Sequence, residues 1–482
     1  MRQAIGFVVC VMLLGCSGGS NTVPDGGVDG GSDGSTSGGP DYTSGTRLRA
    51  KVYASADGAR QWHGWFDQQL QTSCAVTTAE DDVLRCVPTG AYYSTDTFAD
   101  SACTEPVATS LPACEAPPAY ALQNATSGCA NIAYAIGAKV VPAAVWTNQG
   151  GGCQPATPEP TVDYYRVGAK VDPATFVKET RTREARGPEL QVQFLVGEDG
   201  SKQPNGLFDS TRKGACATVY LPLDSYAGRC VPSHVGYAEQ TYSDSTCKTP
   251  AINIIPPGTC YYAADDLATA AWIYEEVGCQ GAHLSRFAEI GAQQTGPLYR
   301  LTGSTCALEN NPPAQWNAIG AEILPSTFPL LSYSQSGQGR IIDDWYTAAS
   351  SDKLTVDGFY DTQLKIACDP KLARDGKLRC IPRAFDTTVF YLDDKCTSAV
   401  YANDGGSSCT PTPPPATIRA QRPSTCESQV GHYTVGAKIA TPTNVWQVNG
   451  TCDPSFVSPT ADYYALTETD PATLVELTDV KE

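Results

Sequence analysis

The chain predicts an all-β fold built from three tandem, disulfide-stapled β-repeat modules. Three observations carry that expectation. Six cysteines recur three times in one order, and each recurrence brings the same short motifs with it. Apolar runs are short, and 44 Gly, 35 Pro and 24 Tyr interrupt them, which suits turns and short strands better than long helices. The cysteine sets are Cys74, Cys86, Cys103, Cys114, Cys129 and Cys153; Cys216, Cys230, Cys247, Cys260, Cys279 and Cys306; and Cys368, Cys380, Cys396, Cys409, Cys426 and Cys452. Only Cys10 and Cys16 stand outside the pattern.

Met1-Arg2 gives a short positive start, and Ala4 to Leu14 is an apolar segment too short to cross a bilayer. That is the pattern of a cleaved export signal, placed at 1–15. The segment ends Leu13-Leu14-Gly15-Cys16, which resembles the lipobox of bacterial lipoproteins. The resemblance implies cleavage before Cys16 and acylation of its thiol and new amino group. With Ser17 rather than Asp in the next position, it implies sorting to the outer membrane. Cys10 then lies in the discarded segment. No other apolar stretch nears the roughly 20 residues of a spanning helix, so membrane contact is expected through the lipid anchor only. Residues 16–46 are Gly-, Ser- and Asp-rich and too poor in apolar groups to offset ordering entropy, so they read as a disordered tether. Gly30 to Gly34 matches the G-x-S-x-G pattern, but without the strand and helix that a nucleophile elbow requires.

The modules are expected at 47–182, 190–330 and 341–482. The first two open with the β-like runs Arg47 to Tyr53 and Leu190 to Val196; the third opens less clearly, around Ile341 to Thr347. A Gly, two bulky residues and an Asp follow, ending at Asp67, Asp209 and Asp361. Then come Arg-Cys-Val/Ile-Pro at Arg85, Arg229 and Arg379, and an aromatic-led Asp-x-x-Cys with Asp100, Asp244 and Asp393. A Val/Ile-Gly-Ala follows at Ile136, Ile290 and Val435, and each module closes on a Pro-centred motif, Asp172 to Phe176, Leu324 to Phe328 and Asp470 to Leu474. Ile136-Gly137-Ala138-Lys139-Val140 echoes again as Val167-Gly168-Ala169-Lys170-Val171, a spacing that suits a propeller blade. Two arrangements fit: a closed, β-propeller-like ring, which removes free sheet edges, or three separate small β-domains in a row. The polar segments near Lys178 to Glu189 and Ser332 to Arg340 read as links in either.

There is no CxxC, so the cysteines fit neither zinc-ribbon nor thioredoxin-type patterns. An exported chain with an even cysteine count per module reads as disulfide-bonded. Six cysteines allow 15 pairings, of which sequential pairing is expected because Cys74 to Cys86 looks like two strand ends around a polar turn. The scheme is Cys74-Cys86, Cys103-Cys114 and Cys129-Cys153; Cys216-Cys230, Cys247-Cys260 and Cys279-Cys306; Cys368-Cys380, Cys396-Cys409 and Cys426-Cys452.

The repeated aspartates are expected to cap turns through their own backbone; calcium ligation and catalysis are the rival roles. The repeated aromatics Trp146, Tyr299 and Trp446 are expected in cross-strand packing, with sugar stacking as the sharper alternative. His63, His234, His283 and His432 occupy no position shared by all three modules, so neither a metal site nor a triad is expected from them. No cofactor is expected. The net charge of −18 argues against nucleic acid, whose phosphates need a basic surface.

The Gly-aromatic-Asp, Arg-Cys-Val-Pro, Asp-x-x-Cys and Gly-Ala-Lys motifs, over about 47–482 and with the lipobox, resemble a group of cysteine-rich tandem-repeat lipoproteins of myxobacteria. The resemblance implies no chemistry and no site residues. The expected function is an outer-membrane-anchored surface protein with a binding or structural role, its partner an envelope polysaccharide or protein. The alternative is a carboxylate-based glycan hydrolase or lyase, which needs two carboxylates about 5 to 10 Å apart across a cleft.

Overall fold

The fold is all-β. The computed structural model describes residues 41–110, 118–124, 130–142, 144–148, 152–159, 162–218, 228–237, 241–254, 267–276, 283–302, 305–309, 316–348, 353–403, 414–422, 429–449 and 451–482. Among them, helix is limited to three single 3-10 turns. Each module is two β units in series: an antiparallel core sheet, then a second, separately paired β unit.

Core sheet one runs through Leu48–Ser55, Arg60–Asp67, Thr72–Thr78 and Leu84–Pro88. Core sheet two runs through Leu190–Gly197, Lys202–Asp209, Gly214–Thr218 and Cys230–Pro232. Core sheet three runs through Ile341–Thr347, Lys353–Asp361, Ile366–Leu372 and Leu378–Pro382. Every core sheet takes its fifth, outer strand from another module. Glu179–Arg186 ends module one and borders Leu190–Gly197, and Ser332–Ser336 ends module two and borders Ile341–Thr347. Leu477–Lys481 ends module three and returns to pair with Leu48–Ser55. The three sheets therefore form a closed cycle, unlike separate domains in a row. The polar segments expected as links carry these edge strands.

Neighbouring sheets also interlock through hairpin tips. Asp199, in the turn before Lys202–Asp209, accepts from the amides of Arg47 (3.0 Å) and Leu48 (2.7 Å) in module one. Asp57 does the same to Arg340 (2.9 Å) and Ile341 (3.1 Å) in module three. The third tip lies outside the described residues, but its flanks Ala348 and Leu354 pack with Leu190 and Phe194 of core sheet two.

The repeated motifs are the joints of this frame. Gly64, Gly206 and Gly358 sit beside β-bulges, where register slips between the first two strands. Gly206 (φ 108°) and Gly358 (φ 150°) hold backbone conformations that side-chain-bearing residues rarely adopt. Asp67, Asp209 and Asp361 are buried and cap the next turn: Asp67 accepts from the Gln69 and Leu70 amides, Asp209 from Thr211 and Arg212, and Asp361 from Gln363 and Leu364. Arg47 and Arg340 neutralise Asp67 and Asp361 with forked hydrogen bonds. The arginine of Arg-Cys-Val/Ile-Pro holds the closing motif down. Arg85 donates to the Phe176 carbonyl, Arg229 to Phe328 and Arg379 to Leu474.

The second unit of module one is a closed five-stranded barrel. Its strands run Ala91–Phe98, Pro106–Ser110, Asp163–Lys170, Asn131–Val140 and Tyr120–Asn124, then back to Ala91–Phe98. A hairpin, Val145–Asn148 with Cys153–Ala156, leans on Phe98. Module three repeats this order with the first strand split into Phe385–Asp386 and Phe390–Tyr391. In module two the same strand order is divided between a five-stranded and a three-stranded sheet. The Gly-Ala-Lys echo lies within one barrel, on two adjacent strands. A Cβ on Gly137 would meet the Arg166 carbonyl at 3.1 Å, and one on Gly168 the Ala135 carbonyl at 2.8 Å, so each glycine admits the opposite strand.

The structure joins Cys74 to Cys86, Cys216 to Cys230 and Cys368 to Cys380. Beyond this first pair, sequential pairing fails. Cys103 bonds Cys153, Cys247 bonds Cys306 and Cys396 bonds Cys452. These bonds exclude all six remaining expected pairs: Cys103-Cys114, Cys129-Cys153, Cys247-Cys260, Cys279-Cys306, Cys396-Cys409 and Cys426-Cys452. The reason is the hairpin that folds back onto the first barrel strand, since Phe98 pairs with Trp146 and Trp146 with Pro155. That brings the last cysteine of the module to the third, across 50 residues in module one. Cys114, Cys129, Cys260, Cys279, Cys409 and Cys426 lie outside the described residues.

Candidate functional site

Core sheets one and two face each other across a cleft of about 690 Å³. A β-bulge builds each wall. In a regular strand Trp62 and Trp65, three apart, would point to opposite faces; the slip at Gly64 turns both inward. Their rings meet edge-on at 5.7 Å, with 6% and 1% of their surface exposed. On the other wall, Pro204 and Leu207 flank Gly206 in the same way, and both are buried.

Polar groups cross this apolar floor. The Trp65 indole N–H donates to Gln203 Oε1, tying the two sheets together. Gln193 is buried and donates to the Leu207 carbonyl at 3.2 Å. The buried Trp62 Nε1–H has no acceptor among the described residues. Thr89, Asn205 and Ser233 line the cleft as exposed residues. At one rim His63 stacks on Tyr53 with ring centroids 3.8 Å apart, and its Nε2 lies 2.9 Å from Asp479 Oδ1. Lys51 Nζ lies 3.5 Å from Asp479 Oδ2, so the closing strand backs this rim from outside the lining. Burial lowers the His63 pKa against the opposing pull of Asp479, so the ring is neutral at pH 7. Among the described lining residues there is no carboxylate.

The residues singled out in the sequence lie elsewhere. Trp146 faces Phe98, Tyr299 faces Tyr242 and Trp446 faces Tyr391, each half-buried between two strands on its own module's hairpin. The three are not brought together on one surface. Asp100, Asp244 and Asp393 cap the turn that puts Cys103, Cys247 and Cys396 at positive φ of 53°, 52° and 53°. Asp100 accepts from the Ala102, Thr104 and Glu105 amides, and Asp244 and Asp393 repeat the pattern. The Thr246 hydroxyl and the Thr246 and Thr249 amides hold the Asp244 carboxyl well below the usual range. His432 Nδ1 lies 2.9 Å from the Thr469 hydroxyl and His234 is buried. Among the described residues no group of three or more His, Cys, Asp or Glu is placed to hold a metal ion. Cys16, the expected lipidation site, lies outside the described residues, as does Cys10.

Sequence reasoning missed Trp62, Trp65, Gln193 and Gln203. The available signal was the repeated Gly64 and Gly206, each followed by a bulky residue and preceded, three positions earlier, by Gln61 and Gln203 respectively.

The disulfides suit an oxidising, extracytoplasmic environment. No helix among the described residues is long and apolar enough to cross a membrane. No curated protein and no solved structure matches the chain. One family matches it three times, over 41–308, 177–401 and 331–481, with each match starting at or near the head of a core sheet. The chain therefore belongs to that family, a family of unknown function, DUF7481.

Proposed function

We propose that this protein is an envelope-binding lipoprotein, held at the outer membrane by acyl chains on Cys16 and binding an envelope polysaccharide or protein through the cleft between core sheets one and two. The cleft supports the reading most directly. Its floor is apolar, its rim is polar, and its volume lies within the usual range of about 300 to 1,000 Å³ for ligand pockets. Glycoside hydrolysis by paired carboxylates would need two acidic side chains about 5 to 10 Å apart at such a site, and the described lining offers none. The Gly-, Ser- and Asp-rich stretch before Asp41 would separate the folded part from the lipid, whereas Tyr42 and Thr43, expected within the tether, instead pack on core sheets one and two.

The test has two arms. Metabolic labelling with a fatty acid and fractionation of cell membranes should place the chain in the outer-membrane fraction, and Cys16→Ala should remove the label and release the protein. Purified chain should also bind isolated envelope material and lose that binding on Asn205→Ala. Unlabelled wild-type protein would sink the anchoring half of the proposal, and envelope binding indifferent to Asn205 would sink the cleft.

A further inference from the structure

We infer that the cleft between core sheets one and two takes a neutral oligosaccharide. This rests on reading the cleft as the binding site, and it names the ligand class.

Three observations narrow the chemistry. The first is the Trp62 indole N–H, 94% buried by its residue and left without an acceptor in the cleft lining. A buried donor with no partner is costly, so a ring shift that brings it to a ligand oxygen in the cleft is favoured. The second is the type of polar group present. Gln193, Gln203 and Asn205 carry amides, and Thr89 and Ser233 carry hydroxyls. Amides and hydroxyls both donate and accept, which matches sugar hydroxyls, themselves donors and acceptors. The apolar floor of Trp62, Leu207 and Pro204 matches the C–H faces of a pyranose ring. The third is charge. Lys51 is paired with Asp479, neutral His63 adds none, and the whole chain carries −18. An acidic glycan would meet long-range repulsion with no free cation among the described lining residues to offset it.

An extended peptide is the chief competitor. Peptides commonly dock by adding a strand to an exposed sheet edge. Arg60–Asp67 pairs with Thr72–Thr78 only from Trp65 onward, and Lys202–Asp209 with Gly214–Thr218 only from Leu207 onward, so each has an unpaired flank at the cleft. The β-bulges beside Gly64 and Gly206 break the regular ladder there, which disfavours an added strand.

The experiment uses the full chain, with tryptophan fluorescence and calorimetry as readouts. The probes are maltohexaose, cellohexaose and chitohexaose, a hexamer of galacturonic acid, and a pool of uncharged hexapeptides. The expected result is saturable binding of at least one neutral hexasaccharide. Trp62→Phe, which keeps a ring and removes the N–H, should weaken it by about fivefold. Asn205→Ala, at an exposed position where the fold is insensitive, should weaken it as well. Binding of galacturonate or peptide that responds to these variants would overturn the neutral-glycan assignment and leave the cleft as a binding site. Glycan binding that ignores both variants, or no binding by any probe, would overturn the cleft itself.

Discussion

The Asp57 carboxylate lies 2.9 Å from the Arg340 amide and 3.1 Å from the Ile341 amide, joining a turn in module one to the first strand of module three. Asp199 makes the same joint to Arg47 and Leu48. Hydrogen bonds to a charged group are worth about 1.5 to 3 kcal/mol, so Asp199→Ala should cost about 2 kcal/mol in urea unfolding. Burial alone would raise the Asp199 pKa, but the amides of Leu48, Ser201 and Arg47 and the Ser201 hydroxyl outweigh it and hold it low. A depressed folded pKa gives stability that is present above the ordinary carboxylate value and lost as pH falls through the folded one. The difference between wild type and Asp199→Ala should therefore shrink in acid. A gap that stays constant down to about pH 2 would contradict this joint.

Glu179 should behave in the opposite sense. It begins the edge strand given to core sheet two, is 3% exposed, and is pushed up to about 8 by burial, with the Asp199 and Glu198 charges adding to it. Its folded pKa exceeds its unfolded one, so the folded state is favoured most below the ordinary carboxylate pKa and loses stability as pH rises towards 8. Glu179→Gln should be the more stable protein at pH 7, by roughly 3 kcal/mol at most. Thermal melts at pH 5, 7 and 9 would show it as a flattened slope; equal slopes for both proteins would refute it.

Non-reducing peptide mass spectrometry should recover Cys103 linked to Cys153, Cys247 to Cys306 and Cys396 to Cys452. Replacing both Cys103 and Cys153 with Ser removes a cross-link over 50 residues, worth about 4 kcal/mol in the chain-entropy account. The loss should be read as faster amide exchange in the first barrel while core sheet three stays protected. Recovery of Cys103 bonded to Cys114 would refute the connectivity.

Removing 477–482 should open the cycle. Leu477 is buried, and Glu482 holds the Tyr42 hydroxyl and the Arg60 guanidinium. The Leu48–Ser55 strand would then present a bare edge, which recruits other chains. Light scattering should show concentration-dependent oligomers and a lower melting temperature. A monomer with unchanged melting would contradict the closure.

Much of the frame was legible in the residues. Motif order marked the modules, and turn chemistry gave the aspartates their roles. The edge strands were hidden by their own chemistry: Glu179–Arg186 reads ETRTREAR, a charged run suited to an exposed sheet edge and indistinguishable from a polar link. The Cys103–Cys153 bond depends on a hairpin folding back, which no local spacing encodes. The cleft was hidden for a related reason. Period-two reasoning sends Trp62 and Trp65 to opposite faces, and only the slipped register at Gly64 puts them on one.

The strand exchange between modules also bears on how the molecule arose. Each module carries both halves of the joint, a sheet one strand short and a terminal strand with no place in its own sheet. A lone module of this kind is a self-complementary building block, and three unlinked copies could close the same cycle as a homotrimer. Covalent fusion adds an address to each position. Once the copies are fixed in order they are free to diverge, and one seam, between the first and second, can become a cleft that the other two need not share.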